Sequence, residues 1–180
     1  MKNFKQILNK YKKKSLSGRD IFDMLDGNIK IFTYPEITKY NNIHDILSPY
    51  GCCIILYLKT PTYGHWCALL QHKDRIEFFD PIKNMIPDDE LPYINNDFRI
   101  ASNQVKPHLL KLLYNSGSKI EYNNYNFQEM NNYDVRTCGR HCVSRIIFKN
   151  LLLDDYYDLI YYLCNQFNLS FDEIITLITI

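Results

Sequence analysis

Alanine is nearly missing from this sequence, occurring only at Ala68 and Ala101, while Lys, Asn, Ile and Tyr abound, a bias expected of an AT-rich genome. No apolar run approaches the roughly 20 residues that span a bilayer. Lysines interrupt the N-terminal stretch where a secretory signal needs an unbroken apolar core, so a soluble, intracellular protein without a membrane partner is expected. The six cysteines (Cys52, Cys53, Cys67, Cys138, Cys142, Cys164) lack the paired spacing of a secreted disulfide framework, and runs such as CCIILYL and HWCALL read as holding buried thiols. No repeat, linker or low-complexity tract divides the chain, and 180 residues at 46% hydrophobic fit one compact domain with a sizeable core. Acid is absent from residues 1–14, which carry six of the 21 basic side chains and leave 15 against 20 acidic ones elsewhere. The division is therefore a basic helical arm, 1–15, and a mildly acidic domain, 16–180. A solvated helix face and an anionic partner such as DNA explain that arm equally well.

In the arm, Phe4, Ile7, Leu8 and Tyr11 recur at helical spacing, which predicts an amphipathic helix over 3–13. Ser17 is placed to cap a second short helix that Gly27 ends. IKIFTY is β-prone up to Pro35, and one or two short helices follow before the turn SPYG. CCIILYL (52–58) is apolar throughout, as a strand buried on both faces and central in a sheet would be. HWCALLQ (65–71) and IEFFD (76–80) flank HKDR as a hairpin. Residues 83–105 read as irregular, 107–117 as a helix, 119–125 as a strand, and the last third as helices, one opened by Ser170 with Glu173 at capping-box spacing. Helices around a small central sheet make an α+β domain.

The chemistry centres on NNYDVRTCGRHCVSRIIF (131–148), where a Cys-Gly pair leads into a helix-spaced apolar run. A nucleophilic cysteine needs a thiolate, and a helix N-terminus and a neighbouring imidazole both favour one. Cys138 has the first by position, with Thr137 available as a cap and Val143, Ile146 and Ile147 as core anchors. Gly139 allows close backbone approach, and the N–H groups of Cys138 and Gly139 are suited to receive an oxyanion. Five histidines compete to supply the imidazole. With HKDR as the loop, Cys67 pairs with Asp80, which puts Asp80 diagonal to His65 on one sheet face, about 7–8 Å apart between backbones. Glu77 then points to the other face. Asp80 would hold the His65 tautomer and stabilise the imidazolium. Cys138, His141 and Cys142 also admit a zinc reading, but a structural site needs four ligands, and the adjacent Cys52 and Cys53 point to opposite faces of a strand. No cofactor or metal is expected.

GHWCALL (64–70), EFFDP (77–81) and a Gln upstream of TCGRHC (137–142) resemble, in this order, the cysteine peptidases of the adenovirus and SUMO-protease type. SGRDIFDML, ILYLKTPTYGHW, IEFFDP, YNNYNFQ, TCGRHCVSRIIF and LLLDDYYDLI are more closely similar to capsid-maturation proteases of virophages, Polinton-type elements and giant DNA viruses, over roughly residues 16 to 165. The resemblance implies a papain-like fold with Cys138 as nucleophile, His65 as base and acid, Asp80 as its orienter and Gln128 as side-chain donor to the oxyanion. In the adenovirus and SUMO proteases the Gln lies nearer the Cys, where this chain has Asn131 and Asn132, and an Asn amide could donate the same bond. It also implies cleavage of capsid or other virion precursors at small-residue sites containing glycine, in the virion or in host cytoplasm during assembly, and tilts the arm toward DNA. The same residues would serve a deubiquitinase or SUMO-type isopeptidase, while a non-enzymatic reading makes the chain a nucleic-acid-binding virion protein.

Overall fold

The computed structural model describes residues 2–129 and 135–180. Among them, five strands form one mixed sheet in the order β1-β2-β3-β4-β5: β1 (Lys30–Thr33), β2 (Cys52–Leu58), β3 (Gly64–Gln71), β4 (Arg75–Phe79) and β5 (Lys119–Tyr122). The outer pairs are parallel and the inner pairs antiparallel. β2 is an interior strand, as its apolar run requires, while β3 takes the middle. The hairpin register pairs Ala68 with Phe79 and Gln71 with Ile76, the pairing expected of an HKDR loop.

Both sheet faces are covered, which explains why β2 and β3 are apolar almost throughout rather than alternating. One face, with Trp66, Ala68, Leu70 and Phe79, packs with α7 (Cys138–Ile147), α8 (Leu153–Phe167) and α9 (Phe171–Ile178). The other, with Cys67, Leu69, Ile76 and Phe78, packs with α3 (Tyr34–Ile37), α4 (Ile43–Leu47) and α6 (His108–Asn115). The 83–105 segment contains a 3-10 turn at Leu91–Tyr93 and a helix the sequence reading missed, α5 (Asn96–Ala101), opened by the Asn95 side chain accepting from Phe98 N–H. It is fastened to β2 by Gln104, whose fully buried amide accepts from Leu58 N–H and donates to Leu58 C=O, completing the strand end as another strand would.

The central helix α7 is buried from Gly139 to Ile146, so its polar residues need partners inside the protein. Arg145 donates two bonds of 2.7 Å to Glu77, and His72 meets the same carboxylate at 2.9 Å. Burial alone would raise the Glu77 carboxyl, yet these partners hold it below its usual range. Arg140 donates to Thr179 C=O at 2.6 Å, and Ser144 accepts from Tyr156 O–H at 3.0 Å. Val143 and Ile146 anchor the helix as expected, but Ile147 is 47% exposed, and the last turn is held by Arg145 instead.

Helix α1 (Lys2–Lys12) packs on α9, with Leu8 buried and Tyr11 under the Arg140 guanidinium. Phe4 and Ile7, expected on its apolar stripe, are instead 45% and 43% exposed. After α1 the chain passes Ser17, whose side chain caps α2 (Gly18–Met24) in a capping box with Asp20. Among the described residues no helix is long and apolar enough to cross a membrane.

Candidate active site

His65, the second residue of β3, is 6% exposed, and its Nε2 lies 2.8 Å from Asp80 Oδ2. Its backbone position depends on Gly64, where a Cβ would stand 1.8 Å from Tyr57 C=O on the neighbouring strand. Asp80, just beyond β4, is 1% exposed and accepts from Ile82 N–H through Oδ1 at 2.8 Å, so both carboxylate oxygens are held. Cys138, half-buried at the start of α7, lines the same groove as this imidazole and adds to the electrostatics that raise its pKa. Burial works against the imidazolium, but the Asp80 charge and hydrogen bond, reinforced by Cys138, push the His65 pKa well above its ordinary value. Glu77 is on the other face with Arg145.

Gln128 is placed by the turn that carries Asp80. The N–H groups of Phe127 and Gln128 both donate to Pro81 C=O at 3.1 Å. Fully buried Asn123, which the sequence reading passed over, donates to Asp80 C=O and Tyr125 C=O and accepts from Tyr125 N–H. Its signal was a single Asn in an Asn-rich stretch. The Gln128 side chain lines the same groove as His65 and Cys138, and its Oε1 is buried without a hydrogen-bond partner among the described residues. The alternative donors Asn131 and Asn132 lie outside the described residues.

The α7 ladder begins with His141 N–H to Thr137 C=O at 2.9 Å, so the N–H groups of Cys138 and Gly139 stand ahead of it, as at any helix start. Thr137 does not cap this helix as expected; its hydroxyl donates instead to the Asp172 carboxylate. Gly139 makes room for Trp66 and Leu16, since a Cβ there would lie 3.0 Å and 3.3 Å from them. His141 Nε2 meets Asp172 at 2.9 Å, and among the described residues no group of three or more His, Cys, Asp or Glu side chains comes together as a metal site would require.

His65, Gln128 and Cys138 line a groove of about 470 Å³. Residues 15–18, which follow α1, form one wall, pinned by Trp66 Nε1 donating to Leu16 C=O at 3.1 Å. Arg136 N–H donates to Lys12 C=O at 3.0 Å, joining the end of the basic helix to the approach to Cys138. At the rim the Arg136 guanidinium lies 5.7 Å from the Tyr63 ring centroid, and Lys59 pairs with Glu90 at 3.0 Å. A thiol, an oriented imidazole and two kinds of N–H donor in one groove can attack, protonate and stabilise at a carbonyl.

No protein-family model matches the chain. Over 174 residues it is 41% identical to "Uncharacterized protein V9" of Sputnik virophage, covering 96% of this chain and 98% of that one.

Proposed function

The chain belongs to the family of virophage protein V9, and on that footing we propose that this viral protein is a cysteine endopeptidase of the papain-like, adenovirus/SUMO-protease kind, cleaving capsid or other virion precursors. The observation that carries the reading is the 2.8 Å bond from a buried His65 to Asp80 with Cys138 lining the same groove. The Cys138 thiolate attacks the scissile carbonyl, and the oxyanion is received by the Cys138 and Gly139 N–H groups and the Gln128 amide. Imidazolium at His65 gives its proton to the leaving amine, which leaves an acyl-thioester. His65 then takes a proton from water, hydroxide attacks the thioester, and the thiolate is released. Asp80 keeps the imidazole oriented throughout.

Incubating the full chain with its candidate capsid precursor, with and without prior alkylation, tests this. Cleavage by untreated protein alone is expected; a precursor left intact by both, or cut equally by both, overturns the reading.

The exposed Lys5 and Lys10 of α1 support a second partner, DNA. Binding should weaken steeply with salt because each neutralised phosphate releases counterions. Lys5→Gln with Lys10→Gln should lower the log–log slope by up to about 2. Salt-insensitive binding, or a slope the double variant leaves unchanged, removes α1 from that role. Lysine variants suit this test better than deletion, because Lys12 is bonded to the groove through Arg136.

A further inference from the structure

One carboxylate, from a helix that contributes nothing to the groove lining, holds the chain on both sides of the site. Asp172, in the first turn of α9, is 2% exposed. Its Oδ2 accepts from Glu129 N–H at 2.9 Å, while Oδ1 accepts from the Thr137 hydroxyl and meets His141 Nε2 at 2.9 Å. Glu129 adjoins Gln128, and Thr137 adjoins Cys138.

Helix capping does not account for this arrangement. Ser170 and Glu173 already close a capping box at the start of α9. A carboxylate buried to this degree is costly unless its oxygens are occupied. Burial would raise its pKa, and the His141, Thr137 and Glu129 bonds hold it below the usual range instead. The His141 side is itself incomplete, since Nδ1 is buried with no hydrogen-bond partner among the described residues. That imidazole is therefore placed by its bond to Asp172 rather than by a full set of its own.

We propose that Asp172 is a positioning residue, setting the Gln128 amide and the Cys138 N–H group at the separation an oxyanion requires. The inference rests on the protease reading. A carboxylate suits the task because it accepts at both ends. An amide at position 172 accepts through one oxygen only: with its NH₂ toward Glu129 N–H it releases that tether, and with its NH₂ toward Thr137 and His141 it reverses the bond there, replacing a charged acceptor of two donors by a neutral donor.

The test is a double-mutant cycle in the full chain, with kcat and KM measured on the capsid precursor for wild type, Asp172→Asn, Gln128→Ala and the double variant. A misplacement of about 1 Å costs on the order of 100-fold, so Asp172→Asn should lower kcat by about that factor with KM little changed. Combined with Gln128→Ala it should add only a few-fold, because the amide it positions is gone. Thr137→Val, which removes one donor at nearly constant volume, should act in the same direction by a smaller factor and carries the cycle if Asp172→Asn does not fold. Factors that multiply, or folded Asp172→Asn and Thr137→Val proteins with wild-type kcat, overturn the positioning role and leave the protease reading standing. Wild-type protein that cleaves nothing overturns both.

Discussion

In a modest excess of iodoacetamide the native protein is expected to lose activity in step with alkylation of Cys138, ahead of the other five cysteines. Cys53, Cys67 and Cys142 are fully buried, and burial pushes each thiol far above its ordinary range. Cys52 is raised by burial too, and the partly exposed Cys164 is pushed up to about 11. Cys138 instead lines the groove and lies beside an imidazole whose pKa is raised, so a proton is held on His65 next to the sulfur. His65→Ala removes that imidazolium and should slow labelling toward the rate of an ordinary thiol while the fold persists. Cys138→Ala removes the nucleophile, and losses on the order of 10⁶-fold in kcat follow when a nucleophile is deleted from a protease. Uniform alkylation of the native protein, alkylation only on denaturation, or a Cys138→Ala protein that still cleaves precursor would reduce α7 to a core helix that happens to begin with cysteine.

What was legible in the sequence divides by how far each interaction reaches along the chain. The β3–β4 hairpin is local: its loop residues and flanking apolar runs determine the register, and the register puts Asp80 beside His65 and Glu77 away from it. Cys138 was legible because Thr-Cys-Gly stands directly before an apolar run. The α2 and α9 caps were legible because their partners are three residues away. Asp172 reads locally as an ordinary first-turn acid of α9, and nothing nearby reveals that its partners are 31 to 43 residues upstream. Arg145 reads as a solvated residue of α7 until β4, 68 positions earlier, supplies Glu77. Thr137 illustrates the competition between the two scales: a local cap was available to its hydroxyl, and a buried carboxylate, a stronger acceptor, took it.

Asp80→Asn should leave the imidazole in place and yet cost on the order of 10⁴-fold in kcat, the scale seen when the acid of a comparable triad becomes an amide. Both carboxylate oxygens are committed, Oδ2 to His65 Nε2 and Oδ1 to Ile82 N–H, so an amide must either lose the backbone bond or turn its NH₂ toward the ring. A ring facing an NH₂ donor must accept at Nε2, which is the wrong tautomer for the proton transfers assigned to it. The pH profile separates this from a general loss of folding. Burial disfavours the imidazolium, and the Asp80 charge and hydrogen bond, with help from Cys138, raise its pKa well above the ordinary value. The alkaline limb of kcat/KM, where His65 loses its proton, should therefore lie well above the ordinary imidazole value of about 6.5 in the wild type. Removing the carboxylate charge leaves burial less opposed, so that limb should move to lower pH in Asp80→Asn. A residual activity whose alkaline limb stays at the wild-type position, or rises, would show that the charge of Asp80 does not govern His65, and wild-type kcat in the same variant would remove Asp80 from the site.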